Sequence, residues 1–537
     1  MGRVGWLMVG LFCTVSMAFG QLGSTLNLGS HKVGFEQKWL FDYGRTYKMK
    51  LPNGSFYGSK KSPRPILLNL WYPALPSKRT KPMPHSRYLD FAKANPEIKP
   101  WLTEYATYNR DTICNEVTGT SRKKLTAGQT EAWKKFLEHP TRCFLDAKPS
   151  TGKFPLVIYH PGYGSSVEDN AEFCEFLASY GYMVASSSYV DRDGDSFNID
   201  AYSGSIGDIN FLTTYLRQRP NVDWEHIGLI GHSGGAHTAL KSRAVFGVAA
   251  DAIVSLDTTE DYYSLDDPRW KFVQHDILPN LFRMKGPILM VANPYAYFAL
   301  ADKFKEADRH YFTVALGHNE FISQGVQRLR VMEPFAELTK KSETTKERKR
   351  VEDCYRRLCE FTLGYFDANL KGNRRTLAQL EKTYSTTVVG GTLPHVEVVP
   401  KGTTTIPDFD PEKPGIPTPR QVRPLLAKIG PEKVAEIIRS KYEKSNPAPI
   451  FNPVFAYALE FELFKQNKGK DAEILHAAYS SVKVKTAQMF TTQAWFGDVT
   501  KNYAFAEECL KMLLTLEPEH GEGKKMLEDI QKKMKGS

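Results

Sequence analysis

The chain has 537 residues, a formal net charge of +11 and 41% hydrophobic residues. That length is too great for one core, so two or three domains are expected. The densest basic run, Lys340 to Arg350, is interleaved with Glu343 and Glu347. It reads as a solvated helix face, and with no accompanying motif the charge gives no reason to expect a nucleic-acid partner.

Arg3 is followed by an apolar run from Val4 to Met17, and Ala18-Phe19-Gly20 precedes Gln21. This is the pattern of a secretory signal peptide over residues 1–20, so the expected location is secreted or periplasmic. The run is short for a spanning helix, and no later segment is apolar enough, so no stable membrane anchor is expected. Six cysteines lie beyond it: Cys114, Cys143, Cys174, Cys354, Cys359 and Cys509. Export permits disulfides, and Cys114 with Cys143 is the first pair to consider. Cys354 and Cys359 lean to opposite faces of one predicted helix. No C-x-x-C or H-E-x-x-H spacing occurs, so neither a metal nor another cofactor is expected.

Residues 21–60 hold scattered apolar residues and glycine. Pro65 to Tyr72 reads as a strand stopped by Pro73. Residues 74–150 are polar and Pro-containing, and read as an insertion or lid region, rather than sheet, of a hydrolase domain over 21–385. Regular alternation then begins. Phe154 to Tyr159 is a predicted strand, followed by the loop His160-Pro161-Gly162-Tyr163-Gly164. Glu172 to Tyr180 is a helix, Tyr182 to Ser187 a strand, Asp191 to Asp200 an acidic loop, and Gly207 to Arg217 a helix. Ile227 to Ile230 is a strand that runs into Gly231-His232-Ser233-Gly234-Gly235, and a helix follows. Strands at Ala252 to Leu256, Pro287 to Val291 and Tyr311 to Leu316 come next, then a long helix from Cys354 to Leu370. The alternation predicts an α/β fold with a mostly parallel sheet covered on both faces.

Residues 386–421 are rich in Gly, Pro and Thr and read as a linker, partly extended. From Val422 to residue 537 the pattern is all helical. Ala472 and Ala506 stand 34 residues apart, and Leu516-Glu517-Pro518 follows the second. That period resembles degenerate tetratricopeptide repeats, with a generic helical bundle as the alternative. A separable module is expected there, and with it a protein partner.

G-x-S-x-G between a predicted strand and a predicted helix is the context of a nucleophile elbow, with Ser233 as nucleophile. Such a serine needs a base, an orienting carboxylate and an oxyanion hole. His318, in Gly317-His318-Asn319-Glu320-Phe321 past the last strand, is the expected base; His310 lies before that strand, at the wrong end. The loop that most often carries the acid reads Ala292-Asn293-Pro294-Tyr295 and has no carboxylate. One strand earlier, Asp257 ends Ala252 to Leu256, 24 residues after Ser233, and is the first choice. Asp261 is second, and Asp251 precedes the strand. The oxyanion donors expected are the backbone N–H groups of Gly234 and Tyr163. His160 and His232 are read as supporting residues.

Residues 60–370 resemble the plasma-type platelet-activating factor acetylhydrolases and their bacterial, dienelactone-hydrolase-like relatives. The matching pieces are R-P-I-L-L-N-L-W-Y-P-A, H-P-G-Y-G, G-H-S-G-G, the early acid in S-L-D, and G-H-N-E-F. The resemblance implies an α/β-hydrolase fold, the triad Ser233, Asp257 and His318, and the Tyr163 and Gly234 amides as oxyanion hole. The helical tail and residues 74–150 depart from it, so phospholipid specificity does not carry over. The leading expectation is an exported serine hydrolase of carboxylic esters, short-acyl or lipid-like, acting on small molecules. A peptidase or amidase with the same triad, and a non-catalytic helical-repeat binding protein, are the alternatives.

Overall fold

The computed structural model describes residues 23–536 apart from 48, 51–55, 58–61, 91–102, 104–106, 108–109, 112, 116–120, 164, 188–202, 266–274, 295, 333–337, 388–392, 404–405, 407, 411, 413–416, 445–453 and 481–486. The expected signal peptide and the acidic loop Asp191 to Asp200 lie outside the described residues. Packing divides the chain into two compact units, Met1–Leu256 with Leu316–Ala378, and Asp257–Ala315 with Gln379–Ser537.

The first unit holds β1 (Lys32–Thr46), a two-strand ribbon of β2 (Met49–Lys50) and β3 (Phe56–Tyr57), β4 (Pro63–Ala74), β5 (Cys143–Leu145), β6 (Phe154–His160), β7 (Met183–Ser187), β8 (Val222–His232) and β9 (Ala252–Leu256). Apart from the ribbon they are ordered β9-β8-β6-β7-β4-β1-β5. The pairs β6–β7, β6–β8 and β8–β9 are parallel, while β1–β4 and β4–β7 are antiparallel. β4 is buried along nearly its whole length, which is why its sequence is an apolar run rather than an alternation. Between the strands come α1 (Ala127–Glu138), α2 (Ala171–Ser179), α3 (Ser203–Leu216) and α4 (Gly234–Phe246); α5 (Ser323–Met332) and α6 (Leu338–Leu370) follow later in the chain. α2 is buried at every position, Glu172 and Glu175 included. Glu172 is balanced by Arg330 at 2.7 Å, and Arg330 also meets Glu352 at 2.7 Å.

The second unit holds β10 (Ile288–Ala292), β11 (Arg309–Thr313) and β12 (His395–Val399). β10 and β11 are parallel; β12 runs antiparallel to β11. α7 (Arg375–Tyr384) precedes β12, and a helical C-terminal region follows, from α8 (Pro419–Ile429) and α9 (Pro431–Lys444) to the last helix at Gly521–Gly536. The α/β class expected from the sequence, with mostly parallel strands and a helical C-terminal region, is the one observed.

The structure adds to or corrects the sequence expectations at several places. Residues 21–60 contain the fifteen-residue β1, whose register with β4 sets Trp39 opposite Leu67 and Phe35 opposite Trp71. The stretch 74–150, read as free of sheet, supplies β5, paired parallel with Val33 to Phe35 of β1. Cys114 and Cys143 are both buried thiols and share no disulfide. Cys114 packs with Leu89, Ile113 and Trp133, while the Cys143 thiol meets the Tyr88 hydroxyl at 3.3 Å, so each has its own surroundings.

The helical region also shares a core with the segment after β10. Tyr297 and Ala299 are buried in one cluster with Val422, Val434, Phe461 and Leu475. Arg423 meets Glu462 at 2.9 Å, and both reach the Tyr297 hydroxyl. Arg420, at the start of α8, is 5% exposed and lies 2.7 Å from Asp302, with its guanidinium 4.0 Å from the Tyr311 ring centre. A tail joined this way by partly buried ion pairs and apolar surface is part of its unit, not an appendage. Ala472 and Ala506 are fully buried, and a Cβ added at Gly497 would lie 2.9 Å from that of Ala506, so small residues set that helix crossing.

Candidate active site

β8 ends at His232, and α4 begins at Gly234. Ser233 alone spans the turn between them, with φ 53 and ψ −122. For a residue with a Cβ this conformation costs on the order of 1–3 kcal/mol, and the surroundings must hold it. They do so through close packing. A Cβ on Gly231 would sit 2.2 Å from the Gly235 backbone, and one on Gly235 would sit 2.2 Å from the His160 carbonyl oxygen. Both contacts are with backbone, which cannot move aside, so both positions require glycine. The Ser233 N–H donates to the Leu256 carbonyl at 2.9 Å, and the Ser233 carbonyl accepts from the Ala236 and His237 amides at 3.0 and 3.2 Å. Gly234 opens the helix, where the first N–H groups have no intrahelical acceptor.

The His160 to Tyr163 turn lies beside this elbow. A Cβ on Gly162 would meet the Ser233 Cβ at 3.4 Å and His232 Nδ1 at 3.0 Å. Tyr163 comes next, its side chain 62% exposed and so directed away from the packed turn. His160 is buried, with Nδ1 2.7 Å from the Pro161 carbonyl oxygen.

His318 begins a short 3₁₀ turn, His318–Phe321, and is exposed. Its ring centre is 4.7 Å from that of His232. The His318 carbonyl oxygen lies 3.0 Å from His232 Nε2. A carbonyl only accepts, so Nε2 carries the His232 proton. Burial, and then the His318 charge, hold the His232 imidazole well below its usual range, leaving it neutral. His232, the residue before Ser233, thus fastens the turn that carries His318. Ser233, Gly234, the Gly162–Tyr163 turn and His318 are brought together within the first unit.

Asp257 belongs to the second unit. It is 3% exposed and has φ 51. Its N–H donates to the Val291 carbonyl at 2.7 Å. The Tyr262 hydroxyl donates to its Oδ1, and that hydroxyl in turn accepts from the Asn293 N–H at 3.0 Å. The loop expected to carry the acid therefore contributes a backbone donor through Tyr262, a residue no motif had singled out. Asp261 is buried, and burial, with Asp257 and Glu260 beside it, pushes its carboxyl well above the usual range. Burial there disfavours the charged carboxylate, the form that would stabilise an imidazolium. Asp251 accepts from the Ile227 N–H at 2.8 Å, at the opening of the β8 core run. His310 is buried in β11, with Nε2 2.6 Å from Glu381, and is occupied structurally.

Five residues beyond Tyr163, burial pushes the Glu168 carboxyl up to about 8, with Ser166 and its own backbone amide opposing. Between the unfolded carboxyl range and pH 8 the folded chain therefore keeps a proton that the unfolded chain has lost, and stability falls as pH rises. Glu175, pushed up to about 7 by burial, adds a fall of the same sign. Glu168→Gln is expected to recover about 3 kcal/mol of the loss between pH 5.5 and 8. Equal losses for both proteins in denaturant titrations at those two pH values would refute it.

A cavity of about 50 Å³ in the first unit is lined by His85, Phe136, His139, Arg142, Glu172 and Gln327 among others. It contains none of the residues at the elbow. Among the described residues no group of His, Cys, Asp and Glu is arranged to hold a metal, and no helix is long and apolar enough to cross a membrane.

No protein-family model matches the chain, and no curated protein matches it. Among solved structures, a ferulic acid esterase from Streptomyces cinnamoneus is similar at 18% identity, over 65% of this chain and 93% of that one, with a TM-score of 0.40. At that score the likeness carries no argument about substrate or reaction.

Proposed function

We propose that the chain is an exported serine hydrolase of carboxylic esters, working through an acyl-enzyme. Ser233 attacks the ester carbonyl, and His318 takes its proton and later returns it to the leaving alcohol. Asp257 orients and stabilises the imidazolium, and the Tyr163 and Gly234 amides receive the oxyanion. The observation that carries this reading is the Ser233 turn. A non-glycine residue sits at φ 53 between a parallel strand and a helix, with Gly162 packed beside its Cβ. A strained serine held by two obligatory glycines is an expensive arrangement for a residue with only a structural task.

The resemblance to the acetylhydrolases favours short-acyl or lipid-like esters. The helical region, in the tetratricopeptide-like reading, would receive a protein partner, and the buried small residues Ala472 and Ala506 suit helix pairs of that kind. Export rests on the sequence of residues 1–20 alone.

Two measurements test the enzymatic reading. A fluorophosphonate probe should label the protein at Ser233; no labelling of folded protein would favour a binding role. A panel of p-nitrophenyl esters against peptide amides should show turnover on the esters, whereas a preference for amides would make it a peptidase. His318→Ala should lose nearly all turnover on the active ester. The acid limb of the wild-type pH profile should rise as the base becomes neutral. Near-normal turnover in that variant would move the base elsewhere.

A further inference from the structure

The segment Ser166 to Asn170 lies between the two loops on which the proposed chemistry depends, and no motif singles it out. Its polar side chains are all but excluded from solvent: Ser166 is 1% exposed, and Asp169 and Asn170 are 0%. Buried polar groups of this kind are costly unless satisfied, and the Asp169 carboxylate, Asn170 Oδ1 and the Ser166 hydroxyl find partners in two directions.

One direction is the oxyanion turn. Asp169 Oδ1 accepts from the Tyr159 hydroxyl at 2.5 Å, and Oδ2 accepts from the Gly162 N–H at 3.4 Å. Tyr159 is the penultimate residue of β6, and Gly162 immediately precedes Tyr163. The carboxylate thus spans the turn from its strand to the residue before the expected donor.

The other direction is the histidine turn. The Asp169 carbonyl oxygen accepts from the Gln324 N–H at 3.0 Å and from the Ser323 hydroxyl at 3.1 Å. Asn170 Oδ1 accepts from the Ser323 N–H at 2.9 Å and from the Tyr355 hydroxyl at 2.6 Å. Gln324 Nε2 donates to the Ser166 hydroxyl at 2.5 Å. Ser323 and Gln324 follow the His318–Phe321 turn after one intervening residue. From the far side, His232 Nε2 donates to the His318 carbonyl. The histidine turn is therefore fixed at both ends, and one of those ends is the segment that fixes the oxyanion turn.

We propose that Asp169 is a positioning residue whose carboxylate sets the oxyanion turn in register with Ser233, from a segment whose backbone is tied to the histidine turn. This rests on the serine-hydrolase reading above. It acts through hydrogen-bond acceptance rather than charge, and it touches neither substrate nor the reacting atoms. Displacing a donor by a fraction of an ångström weakens stabilisation of the oxyanion far more than it weakens substrate binding.

The test compares Asp169→Leu, Asp169→Asn and Tyr159→Phe in the full chain, per active site titrated with a fluorophosphonate. Leucine removes both acceptors at similar volume. It is expected to lower kcat/KM by roughly 10- to 100-fold, below the loss for deleting a donor outright. The affinity for a trifluoromethyl ketone, which binds as an oxyanion, should weaken in parallel, with KM little changed. Asparagine keeps one acceptor for Gly162, while the Tyr159 hydroxyl can turn to accept from its amide, so most activity should return. Tyr159→Phe alters no volume in the turn and should give a smaller loss of the same kind, which decides the matter if the leucine variant does not fold. A merely structural role would lower the melting temperature and leave kcat and ketone affinity per titrated site unchanged; that result overturns the proposal. If Ser233→Ala remained active, the serine-hydrolase reading itself would fail. An inactive Ser233→Ala beside fully active Asp169→Leu and Tyr159→Phe would remove only the positioning role.

Discussion

Ser233→Ala is expected to lower ester turnover by about six orders of magnitude, the size seen when the nucleophile of such a unit is lost. The fold should be unchanged. Alanine keeps the Cβ that Gly162 packs beside, and it keeps the backbone bonds to Leu256, Ala236 and His237. It also keeps the strain, because alanine is no more at ease at φ 53 than serine. Ser233→Gly separates the two effects. Glycine relieves the turn, so this variant should be as inactive as alanine while melting higher, with a gain of about 1 kcal/mol or more. Turnover in the alanine variant above a few per cent would end the assignment. Equal melting temperatures for the alanine and glycine variants would show that the turn is not strained.

The elbow was legible because its requirements are local. A buried strand, two glycines in backbone contact and a helix start all fall within residues 227–240. The H-P-G-Y-G turn and the G-H-N-E-F turn were legible for the same reason, as loops at the ends of recognisable strands. What was lost depended on partners distant in sequence. β1 alternates poorly, since Val33, Gly34 and Phe35 are all buried and its later half is largely solvated. Its identity as a strand comes from β4, thirty residues on. β5 has three residues, too few to show any period. β12 did carry a signal, His-Val-Glu-Val-Val, with Val396 buried and Glu397 paired to Arg420. It was hidden by the Gly, Pro and Thr around it, which read as linker.

The helical tail shows the same limit at larger scale. Its helical period was plain, and the separable-module reading followed from the composition of the linker before it. Yet Tyr297 and Ala299, more than a hundred residues earlier, complete its core. Nothing in the local pattern of Tyr297 distinguishes a loop tyrosine from one whose hydroxyl answers Arg423 and Glu462. The backbone N–H groups of Tyr297 and Phe298 donate to the Asp261 carbonyl at 2.6 and 2.8 Å, so this loop also steadies the chain just beyond Asp257. Tyr262 escaped notice for a related reason. It is one aromatic residue among many, and its role exists only because Asn293 and Asp257 meet it from two strand ends.

Asp257→Asn is expected to lower kcat by about four orders of magnitude, as amide substitution of the orienting acid does in the serine-protease example. The structure makes the comparison clean. Asp257 sits at φ 51, a region that asparagine tolerates as well as aspartate, so the backbone has no reason to move. The amide oxygen can still accept from the Tyr262 hydroxyl, and the N–H bond to Val291 is untouched. What disappears is the negative charge, and with it the preference for the tautomer and the imidazolium that the base requires. Two neighbours serve as controls. Asp261→Asn should change turnover only modestly, because burial already favours the uncharged carboxyl there. Asn293→Ala should also be modest, since the group that reaches Tyr262 is its backbone N–H, which alanine retains. The decisive measurement is kcat on one ester for the three variants, with circular dichroism to confirm that each is folded. A severe loss in Asp261→Asn with Asp257→Asn nearly intact would assign the acid to Asp261 and withdraw the early-acid resemblance. Comparable, mild effects in all three would mean that no carboxylate on this loop orients the base.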